Sequence, residues 1–173
     1  MPILPVQILL TSLLTDLPCI TIASDNVDPN DLLRPKKFNV HSLMFISIFL
    51  GSITAVFEIM YFALIKNQSH LVVSTSLYLF ITYTSLIVIL SVRSKRHFWQ
   101  APIFSSLMRY SFILIAILSL LLIYFPKTME LLSFEKISMH ILGLTIVMTI
   151  MYLFVLDIVK TWFYKTNFVE GRN

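Results

Sequence analysis

The sequence has 173 residues, of which 57% are hydrophobic and 13% are charged, and its mean hydropathy is +0.85. This composition excludes an ordinary soluble globule, and since a spanning helix needs roughly 20 apolar residues, the length allows five or six spans but no sizeable extramembrane domain. The net charge of +4 does not indicate nucleic-acid binding, because the basic residues lie at the ends of apolar runs and form no basic stripe interleaved with aromatic side chains.

Five apolar segments predict an all-α membrane protein that forms a single helical membrane domain over residues 1–173. The predicted transmembrane helices cover about 3–23, 41–65, 71–92, 106–125 and 137–159. The first helix is predicted to be broken at Pro18, because proline lacks the N–H that would bond to residue 14 and its ring clashes with that carbonyl. The single cysteine, Cys19, excludes an internal disulfide and a cysteine metal cluster.

The distribution of basic residues predicts the orientation of these spans. Summed over alternate loops and the C-terminal tail, lysine and arginine number ten on one side and three on the other. Cytoplasmic loops carry the excess of these residues. We therefore expect a multi-pass protein of the cell membrane with its N-terminus outside and its C-terminus in the cytoplasm.

Polar residues interrupt the first segment. Ser12, Thr15 and Asp16 follow one another at helical spacing and precede Pro18, which frees a backbone carbonyl nearby. Hydroxyl, carboxylate and carbonyl oxygens suit sodium, magnesium, calcium or a proton, and broken helices hold ions in this way in many transporters. The alternative is that Ser12 and Thr15 bond to their own helix and that Asp16 lies near an interface.

Two further acids lie in later segments. Glu58 of the second segment is either an ion or proton relay group, or a carboxyl that is protonated or hydrogen-bonded to a neighbouring helix. Asp157 lies near the predicted cytoplasmic end of the last segment, with Lys160 three residues later. We expect this pair to be a solvated contact at the membrane interface.

The first segment and the residues after it resemble P-type cation ATPases. Leu4–Pro18 resembles the sixth membrane helix of the calcium-pump branch, which reads Pro-Val-Gln and then Asn-Leu-x-Thr-Asp, with Ser12 in place of the asparagine. Asp25–Pro29 and Arg34–Phe38 resemble the magnesium-translocating branch, in which Asp-Asn-Val-Asp and Arg-Pro-x-x-Trp follow that helix. Ser52–Glu58 resembles a Ser-x-x-Phe-Asp stretch of the seventh helix. Glutamate replaces the aspartate there, and residues 71–92 lack the acid or amide usual in the eighth helix.

The resemblance implies the C-terminal five-helix membrane segment of a cation pump, magnesium-translocating or selective for another cation. In that family Asp16, Thr15 and Ser12 would contribute to the site of the transported cation, with Glu58 as a secondary candidate. It implies no catalytic residue and no structural metal site in this segment. The lipid bilayer, the transported cation and the missing N-terminal part of the pump are the partners that it implies.

The 173 residues lack the phosphorylated Asp-Lys-Thr-Gly motif and the Pro-Glu-Gly-Leu break of the fourth helix. The ATP and Mg²⁺ that a full pump uses are therefore expected to bind outside this segment, which we expect to carry out no catalysis on its own. Two other functions remain open. One is a freestanding membrane protein that regulates or scaffolds a pump, and the other is an oligomeric ion carrier.

Overall fold

The structure is a computed structural model that describes residues 3–26, 40–94, 97–98, 100 and 102–165. Several residues named above lie outside these ranges. They include residues 27–29 and Arg34–Phe38, which belong to the two stretches that resemble the magnesium-translocating branch.

The described residues form six α-helices joined by short connections. They are α1 (Pro5–Thr21), continued by a 3₁₀ turn (Ile22–Ser24), α2 (Val40–Ile65), α3 (His70–Val92), α4 (Ser106–Tyr124), the short α5 (Pro126–Leu132) and α6 (Met139–Lys165). Five of them, all except α5, are long and apolar enough to cross a membrane. The prediction of an all-α protein with five spanning helices is confirmed.

The predicted break at Pro18 is not an interruption of the helix. The backbone of α1 remains α-helical from Pro5 to Thr21, with Pro18 inside it, and only then tightens into the 3₁₀ turn. Pro18 lies close to the C-terminal end, so the helix loses one hydrogen bond, to the Leu14 carbonyl, and has few turns left to disturb. The prediction that the first helix is broken at Pro18 was therefore wrong, because the helix continues through this residue.

Local sequence signals fix the starts of the later helices. Ser69 caps α3 by accepting a hydrogen bond from the Val72 N–H at 3.3 Å, and Ser105 caps α4 by accepting one from Met108 at 3.2 Å. Proline is favoured at the first helical position, where its missing N–H costs nothing, and Pro126 occupies it in α5. The short α5 was not predicted.

Helix α3 lies at the centre of the bundle. Of its spanning window 72% is buried, against 33% for α6 and 22% for each of α1, α2 and α4. It packs against α1 and α4 on one side and against α2 and α6 on the other, while α1 also contacts α4 and α2 also contacts α6. Because α3 is central, α1 and α2 lie on different sides of it.

Polar and aromatic contacts join α2 to its neighbours. The Tyr61 and Thr145 hydroxyls lie 2.6 Å apart, and those of Thr54 and Tyr152 lie 2.7 Å apart. The ring of Tyr61 also stacks on Phe80 of α3 at 4.3 Å between centroids. Lipid tails are as apolar as leucine, so such contacts and close packing, rather than exclusion of water, hold membrane helices together.

Candidate cation site and buried ion pairs

Helix α1 has one buried face and one exposed face. The buried residues recur at helical spacing and are Gln7, Thr11, Leu14 and Pro18. Ser12 and Asp16 are exposed, about half a turn away from that face, and Thr15 is partly buried beside them. Ser12 and Asp16 are thus directed away from the helices that α1 packs against, and Thr15 lies at the border between the exposed and the buried face.

The two hydroxyls of this face bond to their own helix. Ser12 donates to the Ile8 carbonyl at 3.2 Å, and Thr15 lies 3.0 Å from the Thr11 carbonyl and 3.1 Å from that of Ser12. This is the arrangement that the alternative interpretation expected for them. Their oxygen lone pairs remain able to accept, so the hydrogen bonds set the direction of the hydroxyls without using their ligand capacity.

Neither candidate carboxylate has a hydrogen-bond or ion-pair partner among the described residues. Asp16 is exposed on α1, and Glu58 is half-buried on α2, one turn after Thr54. Helices α1 and α2 both pack on α3 but make no extensive contact with each other, so the structure does not bring these two side chains into one site.

Over the described part of the chain, no group of three or more histidine, cysteine, aspartate or glutamate side chains is placed to hold a metal ion. Mg²⁺ and Ca²⁺ take six or more oxygen ligands. The face of α1 offers one carboxylate and two hydroxyls, which is part of such a set.

Gln7 attaches the buried face of α1 to the neighbouring helices, a role that we did not predict from the sequence. Its side chain is fully buried, accepts a hydrogen bond from the Ser74 hydroxyl of α3, and donates to the carbonyls of Leu132 at 3.2 Å and Ser133 at 3.4 Å. A buried amide with both ends satisfied sets the rotation of a helix more firmly than apolar contacts do. The sequence signal that could have identified this role is a single amide side chain within an apolar run.

The predicted solvated contact between Asp157 and Lys160 is wrong in its environment. The two residues do pair, at 3.1 Å, but they are 3% and 2% exposed. The connection after α3 covers them. His97 Nδ1 lies 2.7 Å from the Asp157 carboxylate, the Phe98 N–H donates to it at 3.1 Å, and Lys160 donates to the Ser91 carbonyl. The pair is therefore part of the packed interior.

A second buried ion pair joins the residues after α1 to those after α3. Arg93 Nη1 lies 2.9 Å from the Asp25 carboxylate, and the two side chains are 3% and 7% exposed. Arg93 also donates to the Pro102 carbonyl, and its guanidinium lies 4.1 Å from the centroid of the Phe104 ring. Burial lowers the pKa of Arg93, and the negative charge of Asp25 opposes that shift. We call these two ion pairs, Asp25–Arg93 and Asp157–Lys160 with His97, the ion-pair cluster.

The fold defines a class: a bundle of five membrane-spanning helices, with a buried ion-pair cluster near the ends of α1, α3 and α6 and with a carboxylate on its first helix that no other described residue pairs with. The sequence model of the family described as "Cation transporting ATPase, C-terminus" matches residues 1–162. The chain belongs to this family and is a C-terminal transmembrane domain of the P-type cation ATPases. Such a domain is not itself a nucleotide-binding domain.

Individual relatives agree with the magnesium-translocating resemblance. The chain is 36% identical over 64 residues to "Magnesium-transporting ATPase, P-type 1" of Escherichia coli (strain K12), and 34% identical over 64 residues to the protein of that name from Salmonella typhimurium (strain LT2). Each match covers 37% of this chain and 7% of the relative. The matched part is thus a small fraction of a complete ATPase.

Proposed function

We propose that the chain supplies the C-terminal half of the transport domain of a cation pump, and that Asp16, Thr15 and Ser12 contribute to the site of the transported cation. The observation that carries the proposal is the Asp16 carboxylate on the exposed face of α1, which has no hydrogen-bond or ion-pair partner among the residues that the structure describes. An aspartate at the centre of a spanning helix costs roughly 2.5–3.5 kcal/mol on insertion scales, which argues against its retention without a role.

The missing ligands would come from helices outside this chain. The opposite face of α1 already packs on α3 and α4, so the exposed face is the one available to further spanning helices. In the proposed assembly the N-terminal part of the pump covers this face, completes the oxygen ligands and brings the ATP-binding and phosphorylated domains. Magnesium is the first cation to test, because the relatives are named for transporting it.

Glu58 remains a secondary candidate for the site. Its place on α2, away from α1, means that it would act as a relay group rather than as a ligand shared with Asp16. We further propose that the N-terminus is outside and the C-terminus is cytoplasmic, as the basic residues of alternate loops predict. Labelling of a Lys66→Cys, Cys19→Ser double variant by an impermeant thiol reagent checks this, because its single thiol, in the loop between α2 and α3, should react from outside intact cells.

The test of function is transport by the chain co-expressed with the N-terminal part of a magnesium-transporting P-type ATPase. Asp16→Ala should abolish uptake of Mg²⁺ into vesicles, since it removes the charged ligand. Cys19→Ala is the matched control, because Cys19 is exposed on the same helix one turn later and carries no ligand charge. Unchanged transport by Asp16→Ala would overturn the site assignment.

Reconstitution of the chain alone separates the remaining functions. The proposal expects no cation flux in vesicles that contain this chain only. Flux that depends on Asp16 and comes with a stable homo-oligomer would favour the oligomeric carrier. The regulator would be favoured if the complemented pump stays active when the chain carries Asp16→Ala and if the transport rate of the pump changes when the chain binds to it.

A further inference from the structure

Helix α1 is held at its two ends and exposed between them. Gln7 fixes its beginning, as described above. At its other end the Thr21 hydroxyl lies 3.1 Å from that of Ser111 on α4, and the Asn26 amide donates to the Ile103 carbonyl at 2.8 Å. Asp16 lies between these attachments, where the described residues make no polar contact with its side chain.

Asp25 is the charged part of the second attachment. Besides its ion pair with Arg93, it accepts a hydrogen bond from the Ser105 N–H at 2.9 Å. It therefore connects the end of α1 to the end of α3 and to the start of α4. A buried carboxylate with two such partners holds one position, because a displaced Asp25 would leave Arg93 buried and unpaired.

Rotation of α1 controls where Asp16 points. Consecutive residues of a helix are about 100° apart around its axis, so a slip of one residue would turn Asp16 from the exposed face toward a neighbouring helix. Asp25 follows Asp16 by nine residues of nearly continuous helix and turn, so the position of the one constrains the other.

We propose that the Asp25–Arg93 ion pair is a positioning device that sets the rotation of α1 and so directs Asp16 toward the transported cation. This inference rests on the proposed function for its consequence in transport. The positioning itself is a property of this chain and is measurable without a cation. Asp25 and Arg93 are positioning residues, since neither lies on the face of α1 that carries Asp16.

The chain offers a matched control in its other buried ion pair. Asp157 and Lys160 are as deeply buried as Asp25 and Arg93, but their partners lie on α6 and on the residues around the end of α3. Asp157→Asn and Asp25→Asn therefore remove equivalent charges, and only the second removes a contact of the α1 end.

The native Cys19 provides the reporter, because it is the only cysteine, lies on α1 between Asp16 and Asp25, and is exposed. The full chain is spin-labelled at Cys19 in lipid nanodiscs, and the accessibility of the label to oxygen and to a water-soluble nickel chelate is measured. Asp25→Asn should change this accessibility ratio severalfold. Asp157→Asn should leave it unchanged, and Asp25→Glu, which keeps the carboxylate, should restore much of the original value.

A label that responds equally to Asp25→Asn and Asp157→Asn would show general loosening and overturn the proposal, as would a label that responds to neither. If Asp25→Asn fails to fold by circular dichroism, Arg93→Lys replaces it as the milder change. In the complemented pump Asp25→Asn should raise the Mg²⁺ concentration for half-maximal transport severalfold and change the maximal rate less. If Asp16→Ala leaves transport intact, the proposed function fails while the label still tests the positioning.

Discussion

Two regions of this bundle carry aspartates, and they differ in whether the described chain supplies partners for the carboxylates. In the ion-pair cluster, Asp25 and Asp157 each have a cationic side chain within 3.1 Å and accept from a backbone N–H. On the exposed face of α1, Asp16 has neither among the described residues. Buried charges within a fold need partners in the chain itself, and the lack of one at Asp16 supports the proposal that its partner or ligand comes from outside this chain.

The largest effect on stability should come from breaking the ion-pair cluster. Asp157→Asn leaves the Lys160 ammonium buried without its counter-charge, and we expect the free energy of unfolding to fall by about 3 kcal/mol. Denaturant titration in detergent micelles, followed by circular dichroism, measures the loss. The double variant Asp157→Asn, Lys160→Met should recover part of it, and equal losses in the single and double variants would contradict a role for the unpaired charge.

Removal of a neutral buried contact should lower the free energy of unfolding less than removal of a charged one. Gln7→Leu leaves the Ser74 hydroxyl and the Leu132 carbonyl without their partner, and we expect a loss of about 1–2 kcal/mol in the same titration. Leu9→Ile is the control, since Leu9 is 68% exposed on α1. A Gln7→Leu loss as large as that of Asp157→Asn would mean that charge is not what distinguishes the ion-pair cluster.

Substitution of Asp16 should have the smallest effect on stability, although we expect it to have the largest effect on transport. Asp16→Asn removes a charge that nothing in the described chain satisfies, so the free energy of unfolding should stay within about 0.5 kcal/mol of the original. The same micelle titration measures it. If Asp16→Asn destabilises the chain as much as Asp157→Asn does, Asp16 is a structural residue and the contrast between the two regions is lost.

The helices could be predicted from the sequence because each spanning helix satisfies its own backbone and must be about 20 apolar residues long. Hydropathy therefore locates α2, α3, α4 and α6 without knowledge of their neighbours. Pro18 was misjudged because the cost of an internal proline depends on how much helix follows it, and here only three residues do. The short α5 is too small to leave a hydropathy signal.

The candidate site could be predicted only where its members lie on one helix. Ser12, Thr15 and Asp16 share α1, so their spacing is sufficient. The spacing of Asp157 and Lys160 likewise predicted their contact but not their burial, which depends on His97 and Phe98, some 60 residues away. Asp25 and Arg93 are also distant in sequence, and their pairing is formed only when the ends of α1 and α3 meet.

The central position of α3 has a consequence for biosynthesis. Its hydroxyl-rich faces, which include Ser74, Thr75, Ser76, Thr82 and Thr84, are covered by α1 and α2 before it and by α4 and α6 after it. Helices emerge from the ribosome in order, so α3 enters the bilayer with only half of its final neighbours present. The hydroxyls of Thr75, Ser76, Thr82 and Thr84 donate to carbonyls of α3 itself, and that of Ser74 donates to Gln7 of α1, so α3 can enter the bilayer before α4 and α6 are made without unsatisfied hydroxyl donors at these five positions.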